Sequence, residues 1–179
     1  MSKITRTITT SQTIGPFSHE AWQWAVDLTT KIEGPAVTIR GVIYDGDGAV
    51  INDAQIEAWL PDAAQAETHQ GHPMPGFRRV PSGEDGSFAL SAPISSGTSS
   101  ATSTGEPLMY VTVFARGLVK HQFTAVFLED DSALAQSAIL NQVPAPRRAT
   151  LLARKVADGE YRWDIWMQSD KETVFFDYV

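Results

Sequence analysis

The clearest pattern in the chain is an alternation of apolar and polar side chains that begins at Val37. Alternation with a period of two is typical of a β-strand with one buried face. Similar short stretches, rich in β-branched and aromatic residues, recur at residues 55–60, 87–90, 109–114 and 122–128. Such stretches favour strands over helices.

Turn residues separate these stretches. Asp45–Gly48 and Gly83–Gly86 combine glycine with acidic residues, which suits tight turns. Asp158-Gly159 joins residues 151–156 to residues 161–167, which predicts a β-hairpin. The pattern predicts an all-β protein, an antiparallel β-sandwich of about eight strands with long loops.

Outside the strands, four segments carry weaker signals. Residues 61–86 are polar and predict a long loop. The Ser/Thr/Gly-rich run at 95–105 predicts a mobile surface loop. Asp130-Asp131-Ser132 can cap a short helix that extends to Leu140. The apolar end at 173–179 is expected to dock on the domain.

The first 35 residues show no strand alternation. The Gly15-Pro16 pair interrupts regular structure, and the segment after it can form a short helix with Trp22 and Val26 on one face. We therefore expect an N-terminal arm over residues 1–35, packed on its own domain or on a partner. Residues 36–179 then form the sandwich domain.

Composition narrows the possible functions. The chain has 179 residues, a net charge of −7 and no cysteine. Absence of cysteine excludes disulfides and thiolate chemistry, and the acidic balance argues against nucleic-acid binding. No apolar run is long enough to cross a membrane, and the first residues lack the apolar centre of a signal peptide. A cytoplasmic protein is expected.

The four histidines do not form a recognisable catalytic or metal-binding motif. They are His19, His69, His72 and His121. No His-x-His, no HExxH and no nucleophile elbow is present, so a self-contained active site is not visible and a self-sufficient hydrolase is unsupported. Solvated or structural roles are the default for all four.

Three polar features remain as candidate binding groups. Arg116 follows an apolar strand, where a cation either pairs with a nearby acid or binds an anionic ligand through parallel hydrogen bonds. Thr13 precedes the rigid Gly15-Pro16 turn and could present polar groups to a ligand, or belong to an ordinary loop. Arg147-Arg148 is best explained as a connection that forms ion pairs with nearby acids.

Five segments, taken together and in order, carry a resemblance to one family: residues 11–17 (SQTIGPF), 39–59, 114–117 (FARG), 147–151 (RRATL) and 172–177 (ETVFFD). With these motifs the chain resembles the intradiol ring-cleaving dioxygenases, and within them the α subunits that act with a β subunit on protocatechuate (3,4-dihydroxybenzoate).

The resemblance implies a β-sandwich and a non-haem Fe(III) held by two tyrosines and two histidines of the β subunit. The corresponding His-x-His positions here are Leu108 and Tyr110, and the stretch near residues 78–100, where the tyrosine ligands would fall, has no tyrosine. Fe(III) favours phenolate and imidazole ligands. The resemblance therefore implies that this chain holds no metal and no catalytic residue.

By the same resemblance, the chain completes a substrate pocket lodged between the subunits. The residues carried over to this role are Thr13, Gly15, Pro16 and Arg116. The implied reaction uses O2 to cleave protocatechuate between its two hydroxyl-bearing carbons, which gives 3-carboxy-cis,cis-muconate. Arg116 would supply positive potential near the anionic substrate.

An alternative stays open at this point. A non-catalytic β-sandwich that binds a ligand or assembles with a partner would show the same strand pattern and the same apolar ends. A neighbouring reading frame with two tyrosines and a His-x-His pair would favour the dioxygenase subunit, and its absence would favour the binding module.

Overall fold

The computed structural model describes residues 23–29, 36–93 and 105–177. The helices within them are α1 (Gln23–Thr29) and α2 (Pro61–His69), with short 3-10 segments at Leu134–Gln136, Leu140–Gln142 and Ala145–Leu151. The strands are β1 (Ala36–Tyr44), β2 (Gln55–Trp59), β3 (Phe77–Pro81), β4 (Ser87–Pro93), β5 (Met109–Phe114), β6 (Gln122–Leu128), β7 (Leu152–Ala157), β8 (Glu160–Arg162) and β9 (Ile165–Trp166).

The strands form one continuous hydrogen-bonded path in the order β3-β2-β5-β6-β7-β8-β1-β4, with β9 paired to β1. The predicted β-rich fold is confirmed, but the expectation of a purely antiparallel arrangement is wrong. Strands β1 and β8, β1 and β9, and β6 and β7 pair in parallel, so the sheet is mixed and the described residues contain nine strands. Local alternation does not reveal this, because Thr38 pairs with Glu160 from the other end of the chain.

The sheet encloses a large apolar core, and a second, smaller apolar cluster surrounds Phe127 and Leu140. Alternate residues of β1, such as Ile39 and Ile43, are buried with residues of β2 and β5, such as Ile56 and Val111. Strands at distant points of the path thus contribute to the same core. The two ends of the path also meet, because the Nε of Arg78 on β3 donates a hydrogen bond to the carbonyl of Ser91 on β4 at 3.0 Å.

The long loop predicted for residues 61–86 is wrong, since this stretch contains α2 and β3. Pro61 occupies the first turn of α2, where its missing N–H is not needed, and alanine and glutamine continue the helix. The helix carries one buried acid, Glu67, which has a partner on β3 and so fixes the helix to the sheet.

Glu67 and Arg78 form a buried ion pair. Their side chains are 4% and 1% exposed, and two N–H groups of Arg78 donate to the carboxylate. The N–H of Gly76, a residue with φ of +71°, donates to the same carboxylate at 2.6 Å. Burial raises the pKa of Glu67, but the hydrogen bonds from Arg78 and Gly76 and the charge of Arg78 outweigh it. The pKa therefore lies below its ordinary value of 4.5.

Two smaller expectations are confirmed. Strands β7 and β8 form the predicted antiparallel hairpin, with a shift in register between Lys155 and Ala157. Its second strand ends at Arg162 instead of residue 167, because Ile165–Trp166 pairs in parallel with β1. The end of the chain docks on the sheet, where the N–H of Phe176 donates to the carbonyl of Phe123 at 2.7 Å.

The helix predicted after Asp130 is not continuous. Asp131 accepts a hydrogen bond from the N–H of Ala133 at 2.8 Å, as a cap would, but only two short 3-10 segments follow before residue 143. Polar side chains bond locally here, as Asn141 does to the carbonyl of Ala135, and such bonds compete with α-helical pairing.

The predicted N-terminal helix is present as α1, and Val26 lies on it, whereas Trp22 lies outside the described residues. Thr29 at its end accepts a hydrogen bond from the N–H of Arg79, which attaches α1 to β3. The division at residue 35 stays a prediction, and residues 95–104 of the predicted surface loop lie outside the described part. No helix in the described ranges is long and apolar enough to span a membrane.

We predict that Glu67→Gln lowers the free energy of unfolding by about 3 kcal/mol at pH 7, because it leaves the buried guanidinium without its counter-charge. The low pKa of Glu67 makes its contribution pH-dependent. Stability from this group is present above its unfolded pKa and is lost as pH falls below about 4.5. The difference between native chain and variant should therefore shrink with acid, as measured by urea denaturation at pH 7 and at pH 4.

Glu160→Gln is the matched control, since it removes a carboxylate from the exposed Arg40–Glu160 pair. We expect a change within about 0.5 kcal/mol, as for most surface ion pairs. An equal effect of the two variants would contradict the role given to the buried pair.

Candidate functional site

Arg116 lies at the tip of a tight turn that follows β5. The N–H of Leu118 donates to the carbonyl of Ala115 at 3.3 Å, which closes the turn around Arg116 and Gly117. Gly117 has φ of +86°, the left-handed conformation that a type II turn requires at this position. The turn exposes Arg116, whose side chain is 67% accessible.

The guanidinium of Arg116 is anchored by a buried carboxylate. Its Nε lies 2.6 Å from Oδ2 of Asp53, whose side chain is 9% exposed. Within the described part of the chain, this oxygen accepts no hydrogen bond, so its contact with Arg116 is an ion pair and not a hydrogen bond. The two terminal amino groups of Arg116 make no hydrogen bond within the same residues. The ion pair expected from the sequence is therefore present. Binding of an anionic ligand stays a prediction, for which four N–H groups are available.

The other three predicted substrate-binding residues cannot be placed beside Arg116. Thr13, Gly15 and Pro16 lie outside the described residues. Their role stays a prediction.

The two positions that the resemblance assigns to histidine ligands carry side chains that do not fit Fe(III). Leu108 offers no donor atom and packs against the main core. The ring of Tyr110 stacks on that of Phe123 with centroids 5.7 Å apart. Burial, and then the charge of Glu106, raises the pKa of Tyr110, which disfavours the phenolate that Fe(III) prefers. In the ranges that the structure describes, no three histidine, aspartate or glutamate residues are grouped as metal ligands would be.

A cavity of about 470 Å³ lies between the turn after β5 and the C-terminal segment. Its lining combines apolar and polar side chains: Leu118, Gln122, Pro144, Arg147, Met167, Gln168, Glu172, Val174 and Phe175. The Nη2 of Arg147 donates to the carbonyl of Glu172 at 3.0 Å and lies 3.3 Å from its carboxylate. The ion pair predicted for Arg147 is thus confirmed. The cavity was not predicted from the sequence. Of the sequence motifs, Arg147-Arg148 and residues 172–177 contribute side chains to its lining.

The histidines are separate from one another in the described part of the chain. His69 lies exposed on α2 rather than in the predicted loop. The Nδ1 of His72 accepts a hydrogen bond from the N–H of Met74 at 3.1 Å, and the ring of His121 lies 5.4 Å from that of Phe114. His19 lies outside the described residues. These contacts indicate structural roles for His72 and His121.

Curated relatives match almost the whole chain. The protocatechuate 3,4-dioxygenase alpha chain of Burkholderia cepacia is 35% identical over 193 aligned residues, which cover 94% of this chain and 96% of that protein. The alpha chain of the same name from Pseudomonas putida is 30% identical and covers 95% of this chain and 96% of its own length. No protein-family model matches the chain.

Solved structures share the fold. The dioxygenase domain of a carbohydrate-binding fusion protein from Streptomyces superposes with a TM-score of 0.53 and 19% identity, covering 78% of this chain and 84% of that one. Catechol 1,2-dioxygenase from an Acinetobacter species gives a TM-score of 0.53 and 14% identity, covering 84% of this chain and 59% of the other. The arrangement of strands is thus that of intradiol dioxygenases.

We predict that Arg116→Ala lowers the free energy of unfolding by about 1–2 kcal/mol, because the buried carboxylate of Asp53 loses the positive charge that lies beside it. Urea denaturation measures this. Arg40→Ala is the matched control, since Arg40 is similarly exposed and pairs through the same nitrogen with the more exposed Glu160. Its change should stay within about 0.5 kcal/mol. No destabilisation by Arg116→Ala would contradict the anchoring described here.

Proposed function

Because this chain belongs to the family of protocatechuate 3,4-dioxygenase alpha chains, we propose that it is the iron-free subunit of a hetero-oligomeric intradiol dioxygenase. The observation that carries the proposal is identity of 35% along 94% of the chain. In this proposal the partner is a β subunit that holds the non-haem Fe(III). The substrates are protocatechuate and O2, and the product is 3-carboxy-cis,cis-muconate.

The side chains at Leu108 and Tyr110 support an iron-free role. One lacks a donor atom, and the other is a half-buried phenol whose pKa is raised. A chain that has strand β5 but lacks the histidine ligands suits a subunit whose fold serves assembly with a partner. The chemistry of ring cleavage then belongs to the partner, and we assign no catalytic residue to this chain.

Arg116 is the group of this chain that we assign to substrate. Protocatechuate carries a carboxylate, and a guanidinium binds carboxylates through two parallel hydrogen bonds. The exposed position and the unpartnered terminal amino groups of Arg116 support this assignment. Thr13, Gly15 and Pro16 are proposed to line the same pocket, and the complex is proposed to work in the cytoplasm.

The iron-free role predicts that the purified chain is colourless, binds no stoichiometric Fe(III) and consumes no O2 with protocatechuate. Co-expression with a partner that bears two tyrosines and a His-x-His pair should yield a red-brown complex. This complex should bind Fe(III) and consume O2 with protocatechuate. Metal analysis, the visible spectrum and oxygen uptake measure these outcomes.

An iron-loaded, active oligomer of this chain alone would contradict the proposal. A chain that forms no complex with such a partner, and binds a small ligand instead, would favour the alternative of a non-catalytic binding module.

For the complex, we predict that Arg116→Ala lowers kcat/KM for protocatechuate about 10- to 100-fold. This is the scale of losing a charge-assisted hydrogen-bonded pair, about 1.5–3 kcal/mol. The iron content should not change, because Arg116 is assigned to substrate and not to metal. Arg40→Ala serves as the control and should keep kcat/KM. Loss of iron in Arg116→Ala would contradict the assigned role.

A further inference from the structure

Asp53 and Arg116 lie just beyond the same end of the antiparallel ladder formed by β2 and β5. Gln55 pairs with Phe114 at the end of this antiparallel ladder. Continuing the same register by two residues puts Asp53 opposite Arg116. The two residues therefore lie next to each other just beyond the end of the ladder, where the pairing of β2 with β5 brings a carboxylate and a guanidinium together.

The pair is strongly asymmetric in exposure. The side chain of Asp53 is 9% exposed and that of Arg116 is 67% exposed. A buried carboxylate is costly unless a cation lies beside it, which favours the conformation in which Arg116 contacts Asp53. An arginine held in this way keeps fewer conformations than a free surface arginine, whose side-chain entropy is large. The exposed guanidinium is thus ordered before any ligand arrives.

The contact also selects which edge of the guanidinium faces outward. A guanidinium can bind a carboxylate side-on, through Nε and one terminal amino group, or end-on, through both terminal amino groups. Asp53 lies beside the side-on edge, since its Oδ2 is 2.6 Å from Nε in an ion-pair contact that is not a hydrogen bond. The end-on edge remains without a partner among the described residues.

We propose that Asp53 is the positioning residue of Arg116, which it orients so that the two terminal amino groups form an end-on fork for the carboxylate of the aromatic substrate. This role rests on the proposed function, in which Arg116 binds that carboxylate. Asp53 itself does not touch substrate. Its effect is that of preorganisation, which raises affinity by removing an ordering cost before binding.

A purely electrostatic view of Asp53 predicts the opposite sign. Its negative charge partly cancels that of Arg116, so its removal would strengthen the attraction of an anion. Positioning predicts instead that its removal weakens binding. The two roles are distinguished by the direction in which KM changes.

The test uses the complex with the iron-bearing partner and compares Asp53→Asn with the native chain. KM for 3,4-dihydroxybenzoate should rise about five- to tenfold with kcat little changed, the scale of a weakened charge-assisted contact. The affinity for uncharged 3,4-dihydroxybenzamide, measured by competition, should stay within about twofold because it lacks the carboxylate that the fork binds. Glu160→Gln, which breaks the exposed Arg40–Glu160 pair, is the control and should keep both values.

Repeating the measurement in the Arg116→Gln variant distinguishes positioning of Arg116 from a general structural effect of Asp53→Asn. In Arg116→Gln, Asp53→Asn should cause no additional rise in KM, since Asp53 acts through Arg116. A rise that persists in this background would overturn the proposal, as would an unchanged or lower KM in the native background. If Asp53→Asn does not assemble, Asp53→Glu replaces it. Glutamate moves the carboxylate by one methylene and should raise KM only when Arg116 is present.

The same measurements distinguish the two levels of inference. If Arg116→Gln leaves KM for 3,4-dihydroxybenzoate unchanged, the proposed function of Arg116 fails, and the role of Asp53 fails with it. If Arg116→Gln raises KM and Asp53→Asn does not, only the positioning role is overturned.

Discussion

The guanidinium of Arg78 joins helix α2 to both ends of the curled sheet. It donates to Glu67 on α2, to the carbonyl of Phe77 on its own strand and to the carbonyl of Ser91 on β4. All three acceptors satisfy a charge that is 1% exposed and would otherwise be strongly unfavourable. Strand β3 pairs in turn with β2, and β2 with β5. The turn that carries Arg116 is therefore supported by strands whose closure depends on this buried pair.

A buried acid serves a different purpose at the other end of β2. Asp53 holds an arginine whose head remains in solvent, whereas Glu67 holds one that is fully enclosed. The surface pair Arg40–Glu160 lacks this asymmetry, since both partners are exposed. In the proposed role of Asp53, the buried anion orders the exposed cation while leaving it accessible. This arrangement suits recognition of a small charged ligand better than a fully enclosed pair or a fully exposed pair does.

How far the sequence predicts this molecule follows from the range of each interaction. The strand at residues 109–114 and the hairpin before residue 162 are encoded by neighbouring residues, and both are confirmed. The parallel pairing of Thr38 with Glu160 depends on distant segments, so alternation could not reveal it. Helix α2 was missed because its polar face resembles a loop, and its one buried acid, Glu67, is explained only by Arg78. The ion pair of Arg116 was expected, but its partner Asp53 was not identified.

Tyr110 of β5 belongs to a hydrophobic cluster that reaches the C-terminal segment. Tyr110 stacks on Phe123, and Phe123 contacts Phe176 of the C-terminal segment. An aromatic ring pair stabilises the sheet without the cost of burying ionised ligands. In the proposed iron-free subunit, this packing would stabilise the strand without any contribution from metal coordination. Selection on such a chain would act on the surfaces it presents to a partner, and in the proposed complex the Arg116 turn is one of them.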